Sequence, residues 1–304
     1  MNEPLNGNEQ MQKLVSMPPT WLITGCSSGF GLALARYILV QGHNVIATSR
    51  NPSKSPEAVS EITGQDNGRW LTFDVTWSKS AIDTFMQQAW NEFDSGIDFL
   101  VNNAGYSVLG AAEDIPEAAA KQQFEVNFWG AVRTTQAILP LMRSVGKGTI
   151  INMSSVAGID PLPTCAIYSA SKFALEAWSE SLSKEIRCLG IKVLIIEPGG
   201  FRTNFFSKDA LQIVSPSEPY EAEDHPVGRT LGSFETVEPA RLGNPMTAAQ
   251  RIFEVVIGTG LGKVLSDNTL RLPLGFDCYQ RAVKSHDVRR RELESAKQVA
   301  LSTS

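Results

Sequence analysis

Histidine and cysteine are scarce in this chain. Three histidines (His43, His225, His286) and four cysteines (Cys26, Cys165, Cys188, Cys278) are scattered over 304 residues, with no C-x-x-C pair. Such spacing supports neither a zinc site nor a disulfide framework, and it suits a reducing, cytoplasmic setting. No run approaches the ~18 apolar residues of a membrane span, and the first twenty residues are polar, without the apolar centre of a leader. A dominant charge is missing too. The 27 Lys plus Arg face 32 Asp plus Glu, a net charge of −5 that argues against a polyanion-binding surface and against nucleic acid as a partner. Asn152-Met153-Ser154 is formally a glycosylation sequon, but it ends an apolar, strand-like segment and reads as chance.

With 42% apolar and 19% charged residues, the chain has the makings of a sizeable core. Its length is about twice a ~150-residue domain, within the range of one α/β domain with appendages. Trp21 to Thr24 is apolar, ends in a Gly-rich turn and is followed by GLALARYILVQG, whose spacing suits a helix closed by Gly42. Further strands are expected at NVIATS from Asn44, WLTFDV from Trp70, IDFLVNNAG from Ile97, GTIINMSS from Gly148 and KVLIIEPGG from Lys192, with helical stretches between. Short apolar runs alternating with helices predict an α/β fold: a single Rossmann-type domain, a doubly wound parallel sheet with helices on both faces. The expected layout is a flexible segment over 1–19, the main domain over 20–276 and a helical tail over 277–304. Prolines and acids crowd residues 204–243, which reads as a substrate lid or connection. The mixed charges of the tail suit a solvated helix better than a membrane-surface one.

Three constellations carry chemistry. The first is Thr24-Gly25-Cys26-Ser27-Ser28-Gly29-Phe30-Gly31, between the first strand and first helix, where glycines let backbone N–H groups approach a pyrophosphate at a helix N-terminus. Taken alone, such a turn equally suits a tight connection. The second is Thr48-Ser49-Arg50 at the end of the next strand, where a dinucleotide fold selective for NAD commonly has an acid. Arg50 can grip a 2′-phosphate, which favours NADP(H), although it also suits a solvated strand end. The third is Ser155, Tyr168 and Lys172, the last two spaced i, i+4 on one helix face. An ammonium ~4 Å from the phenol would favour its ionised form by roughly 4 kcal/mol, about three pKa units, at an effective dielectric of 20. Tyr168 would then exchange a proton with a carbonyl or alcohol oxygen that Ser155 also binds. Taken singly, Ser155 suits a cap, Tyr168 a half-buried aromatic and Lys172 a snorkelling side chain.

Taken together, these residues resemble the short-chain dehydrogenase/reductase family, in the subgroup with T-G-x-x-x-G-x-G and Y-x-x-x-K. The likeness runs from Trp21 to about Thr203. By resemblance, Gly25, Ser27, Ser28, Gly29, Phe30 and Gly31 form the cofactor turn, and Asp74 and Val75 contact adenine. Asn103, Ala104 and Gly105 belong to an N-N-A-G element. Pro198, Gly199, Phe201 and Thr203 belong to a P-G-x-x-x-T loop at the nicotinamide end. Asn127 in FEVNFWG matches the active-site asparagine, implied to hold Lys172 through a water, while Lys172 also binds ribose. Ser155 and Tyr168 stand at the family's separation of thirteen residues. Within the family the chain is most similar to hydroxysteroid and retinol dehydrogenases and to fungal oxidoreductases, which implies a homodimer or homotetramer.

Segments expected to border the pocket are apolar: Val108 to Gly110, Pro161 to Ile167, Phe201, Phe205-Phe206, Leu231 and Phe234. A small lipophilic carbonyl or alcohol is the expected substrate. No arginine or lysine evidently awaits a substrate carboxylate, although Arg202 and Arg241 could meet one. Two other readings share the fold, namely an NADP-binding protein without turnover and a non-redox epimerase, dehydratase or cyclase.

Overall fold

The computed structural model describes residues 17–203, 210–236, 238 and 242–303. In chain order the strands are β1 (Thr20–Ile23), β2 (Asn44–Ser49), β3 (Gly68–Thr72), β4 (Phe99–Asn102), β5 (Ser107–Leu109), β6 (Gly148–Met153), β7 (Ile191–Pro198), β8 (Leu211–Ile213) and β9 (Arg271–Leu274). The helices are α1 (Gly29–Val40), α2 (Pro56–Thr63), α3 (Lys79–Trp90), α4 (Glu117–Phe124), α5 (Gly130–Val145), α6 (Ala166–Ile186), α7 (Pro226–Glu235), α8 (Pro245–Ile257) and α9 (Phe276–Leu301). Seven strands form one parallel sheet in the order β3-β2-β1-β4-β6-β7-β9, giving a single α/β domain.

Both faces of this sheet are covered, which explains why its strands read as continuous apolar runs. Successive residues point to opposite sides. Trp21, Ile23, Val101, Ile151 and Ile196 pack with Leu34 and Ile38 of α1 and Ile252 and Phe253 of α8. Leu22, Leu100, Ile150 and Val193 pack on the other side with α3, α5 and α6, through residues such as Ile82, Met86, Ile138 and Leu182. The order reverses between β1 and β4, so their carboxyl ends leave the crevice where such sheets take ligands.

Several boundaries differ from the sequence reading. The third strand was expected at Trp70 to Val75. It lies at Gly68–Thr72 because the turn at Asp74 takes the later residues out of the sheet: its carboxylate Oδ1 accepts from Thr76 N at 2.9 Å and Thr76 Oγ1 at 2.8 Å. The Asn102 to Gly105 end of the fourth expected strand leaves the ladder after Asn102. Helix α6 starts at Ala166, so Tyr168 is already helical. A π-turn at Glu125–Trp129 joins α4 to α5, and a two-stranded sheet pairs β5 with β8; neither shows in the hydropathy pattern. Asn152 is fully buried in β6, its amide donating to Ser179 Oγ at 2.7 Å. No helix among the described residues is long and apolar enough to cross a membrane.

Candidate active site

The crevice opens into a cleft of about 720 Å3 at the carboxyl edge of the sheet. Its floor is the turn after β1. Gly25 (φ +73°) and Gly29 (φ +61°) occupy left-handed conformations that suit glycine. A Cβ on Gly25 would also stand 2.9 Å from Ala104 Cα. Ser28, the residue before α1, makes no side-chain cap bond, and no acid occupies the first turn. The first N–H groups of α1 therefore remain available to an anion at the positive end of the helix. The residues present thus fit a dinucleotide pyrophosphate, in a cradle that any Cβ would begin to fill.

Thr24 secures this turn to the opposite strand. Its Oγ1 donates to Val101 O (3.3 Å) and accepts from the N–H groups of Asn103 and Ala104, each at 3.0 Å. Asn103 returns the tie through Nδ2, donating to Thr24 O at 2.8 Å and Gly25 O at 3.1 Å. Sequence reasoning placed Thr24 in the turn motif without giving it a role. Gly31 was taken as a cofactor contact, but it does not line the cleft. A Cβ there would sit 2.6 Å from both Asn103 Nδ2 and Gly25 O, so Gly31 serves close packing beneath the turn.

The other expected cofactor residues do border the cleft: Ser27, Ser28 and Phe30 beside the turn, Arg50, Asp74 and Val75 at one end, Asn103 to Gly105 along the side, and Pro198, Gly199, Phe201 and Thr203 at the other. Lys54 joins Arg50 at its end. Ser49 is held by Trp70, whose Nε1 donates to Ser49 Oγ at 3.2 Å.

Ser155, Tyr168 and Lys172 meet on the far wall. Ser155 Oγ accepts from Ala157 N at 3.1 Å, capping a short 3-10 turn at Val156–Gly158. One of its lone pairs is thus occupied, and its hydroxyl donates toward Tyr168. The cap role and the hydroxyl-donor role are compatible because they use opposite sides of one oxygen. Lys172 is buried, donates from Nζ to Met153 O at 2.7 Å, and stands 5.8 Å from the centre of the Tyr168 ring.

Here the expected electrostatics are overturned. Burial pushes the Tyr168 hydroxyl up to about 12, against the hydrogen bond from Ser155, and drives Lys172 down to about 8, with the charge of Glu176 opposing. Desolvation, not the neighbouring ammonium, sets the direction of the Tyr168 shift.

Asn127 lies behind the wall. It sits in the π-turn, buried and off the cleft wall, with Oδ1 accepting from Tyr106 N (3.1 Å) and Nδ2 donating to Tyr106 O (2.9 Å) and Ser171 Oγ (3.2 Å). Those bonds fix the Tyr106 backbone. A Cβ on Gly105 would lie 3.2 Å from Asn127 Oδ1 and 3.7 Å from Lys172 Nζ, so the two side chains flank one glycine.

The remaining wall is apolar, from Leu109, Leu162, Cys165, Phe234 and Leu242. Leu231 and Val227 of α7 pack behind it on Leu109 and Cys165. Phe205, Phe206 and Arg241 lie outside the described residues, and Arg202 is exposed and off the cleft. Among the described residues, Arg281 lines the cleft, from a tail expected to be merely solvated. The first half of α9 is docked: Cys278 is fully buried, its Sγ donating to Glu197 O at 3.0 Å, and Asp277 Oδ2 accepts from Gly200 N at 2.8 Å. Arg281 binds Asp160 through Oδ2 (2.7 Å) and O (2.5 Å), and Arg289 donates to Ile159 O at 2.7 Å. A charged, weakly patterned tail gives no signal for this docking, since the partners are loop carbonyls about 120 residues away.

Residues 19–212 match the family model described as short chain dehydrogenase. The oxidoreductase claN of Passalora fulva is 42% identical over 200 residues, covering 66% of this chain and 89% of that protein. The oxidoreductase calM of Penicillium decumbens is 34% identical over 298 residues, covering 94% and 93%. A short-chain dehydrogenase structure from Streptomyces avermitilis superimposes with a TM-score of 0.83 at 34% identity, covering 95% of this chain and 99% of that one.

Proposed function

Because the chain belongs to the short-chain dehydrogenase family, whose curated relatives are named oxidoreductases, we propose that it is an NADP(H)-dependent enzyme exchanging hydride between the nicotinamide and a carbonyl/alcohol pair of a lipophilic substrate. Reduction of the carbonyl is the working direction. The observation that carries this reading is the Ser155–Tyr168–Lys172 arrangement on the cleft wall. When bound, the cofactor supplies the hydride.

The chain's own groups handle the oxygen and its proton. Tyr168, raised to about 12, is protonated at neutral pH and stands ready to give its proton to a substrate oxygen rather than remove one. Ser155, with its O–H directed into the same space, binds that oxygen as negative charge develops. The phenolate left behind is on the ring that the Lys172 ammonium faces, so the cation stabilises the charge as it forms. Pyrophosphate falls to the Gly25–Phe30 turn and the α1 N-terminus, adenine to Asp74 and Val75, and the nicotinamide end to Pro198–Thr203. Arg50, with Lys54 beside it and no acid at the end of β2, favours a 2′-phosphate. The apolar wall of Leu109, Leu162, Phe234 and Leu242 selects a lipophilic substrate, with the 204–243 segment as its lid.

Two measurements test this. Loss of NADPH absorbance with a panel of hydrophobic ketones and aldehydes is the expected result; tight NADPH binding with no consumption by any carbonyl sinks the oxidoreductase reading. Arg50→Ala is expected to weaken NADPH about tenfold or more, the scale of a lost charge-assisted contact, while NADH binding stays within about twofold. Equal losses for both nucleotides remove the basis for NADP(H) preference.

A further inference from the structure

Directly behind the reacting groups lies a cluster of acids that the proposed chemistry does not use. Glu176 of α6 and Glu197 of β7 are only 6% and 2% exposed, so water cannot solvate two charges there. Their carboxyl groups approach the same guanidinium nitrogen, and Glu197 Oε1 is buried with no hydrogen-bond partner among the described residues. Arg271 of β9 faces both: its Nε is 3.5 Å from Glu176 Oε2 and 3.5 Å from Glu197 Oε1, while its Nη2 donates to Glu180 Oε2 at 2.9 Å, and Lys184 Nζ pairs with Glu180 Oε1 at 2.9 Å. Glu180 is thereby held ionised, whereas Glu176 and Glu197 are buried beside each other with one guanidinium between them, and burial favours a proton retained by the pair.

This pair touches both halves of the Ser155–Lys172 arrangement. Ser154 Oγ, in the residue next to Ser155, donates to Glu176 Oε1 at 2.5 Å. Gly158, which ends the turn capped by Ser155, packs so closely that a Cβ would run into the Glu176 carboxylate. Lys172 is one helical turn before Glu176, and the charge of Glu176 is what supports its protonated form against burial. Glu197 precedes Pro198, and its carbonyl takes the Cys278 thiol of α9.

We propose that Glu176 and Glu197 share a single proton as a positioning pair, Glu176 bearing the charge that keeps Lys172 cationic and the Ser154–Ser155 turn in place, and Glu197 holding the proton. The substitution set separates the two members. Glu176→Gln keeps an acceptor for Ser154 but removes the charge. Glu197→Gln keeps a donor for Glu176 but cannot titrate.

Burial and the Glu176 charge raise Glu197 to about 8. A carboxyl raised above its unfolded value contributes stability that is present at low pH and is lost as pH rises through the folded value. The thermal midpoint is therefore expected to fall as pH rises from the ordinary carboxyl range toward about 8 and to level off above it, while the protonated-carboxyl infrared band is lost around about 8. Glu197→Gln should abolish both changes and leave the alkaline limb of the kcat/KM profile within about 0.3 pH unit of wild type. Glu176→Gln should move that limb to lower pH by about one unit, since Lys172 loses its supporting charge. Coincident activity profiles for Glu176→Gln and wild type, or an infrared and stability step that persists in Glu197→Gln, would overturn the pair. The activity arm rests on the oxidoreductase reading. The infrared and thermal arms use the cofactor-free protein and succeed or fail even if no carbonyl is reduced.

Discussion

Tyr168→Phe binds NADPH with an affinity within about twofold of wild type and reduces carbonyls about a thousandfold more slowly or worse, the scale of a lost general acid. The change removes one oxygen from a ring otherwise held by packing at the start of α6. Ser155 keeps its cap bond to Ala157, so the turn before α6 survives, and Lys172 keeps its bond to Met153 O. The loss should accordingly fall on kcat, while cofactor titration by fluorescence is nearly unchanged. Turnover at the parental rate in this variant would assign the proton to another group and end the mechanism. Since the hydroxyl is pushed up to about 12, the wild-type rate is expected to show no tyrosine limb near neutral pH, and the first alkaline decline belongs to Lys172, at about 8.

Thr24→Val carries the largest expected effect on stability. The substitution conserves shape, but it strips the hydroxyl that accepts from Asn103 N and Ala104 N and donates to Val101 O. The Ala104 N–H then loses its acceptor, at ~1–3 kcal/mol, while Asn103 N keeps Val101 O at 3.1 Å. A destabilisation of about 1–3 kcal/mol corresponds to a fall in Tm of roughly 2–6 °C for a domain of this size. The same threonine ties the carboxyl end of β4 to that of β1, so the pyrophosphate cradle loosens and NADPH affinity should drop as well. A Tm within about 1 °C of wild type, measured by calorimetry, would show that the hydroxyl is dispensable and that Asn103 Nδ2 holds the turn alone.

Much of this was legible from the chain. Periodicity and glycine placement located β1, β2, β6 and β7 to within a residue or two, because strands buried on both faces must be apolar throughout. The i, i+4 spacing put Tyr168 and Lys172 on one face of α6, and both line the cleft. The displaced β3 shows the limit: WLTFDV is as apolar as a strand, yet the Asp74 turn governs where pairing stops. The tertiary surroundings of Asn127 and Gly31 were hidden for a related reason. Motif position says that a residue is near a site, whereas its bonds to Tyr106, or its closeness to Gly25 and Asn103, decide whether it faces the ligand or holds up the wall.

The amino-acid order by itself determined the layered α/β architecture, the glycine turn and the spacing of the hydroxyl, phenol and ammonium, since these depend on local conformation and on which side chains avoid water. Tertiary structure alone decided the sign of the tyrosine shift, the seating of Arg281 and α9 against the loop at Ile159 and Asp160, and the meeting of Glu176 with Glu197. Desolvation and long-range ion pairing depend on what surrounds a group in space, and those neighbours come from strands and helices far apart along the chain.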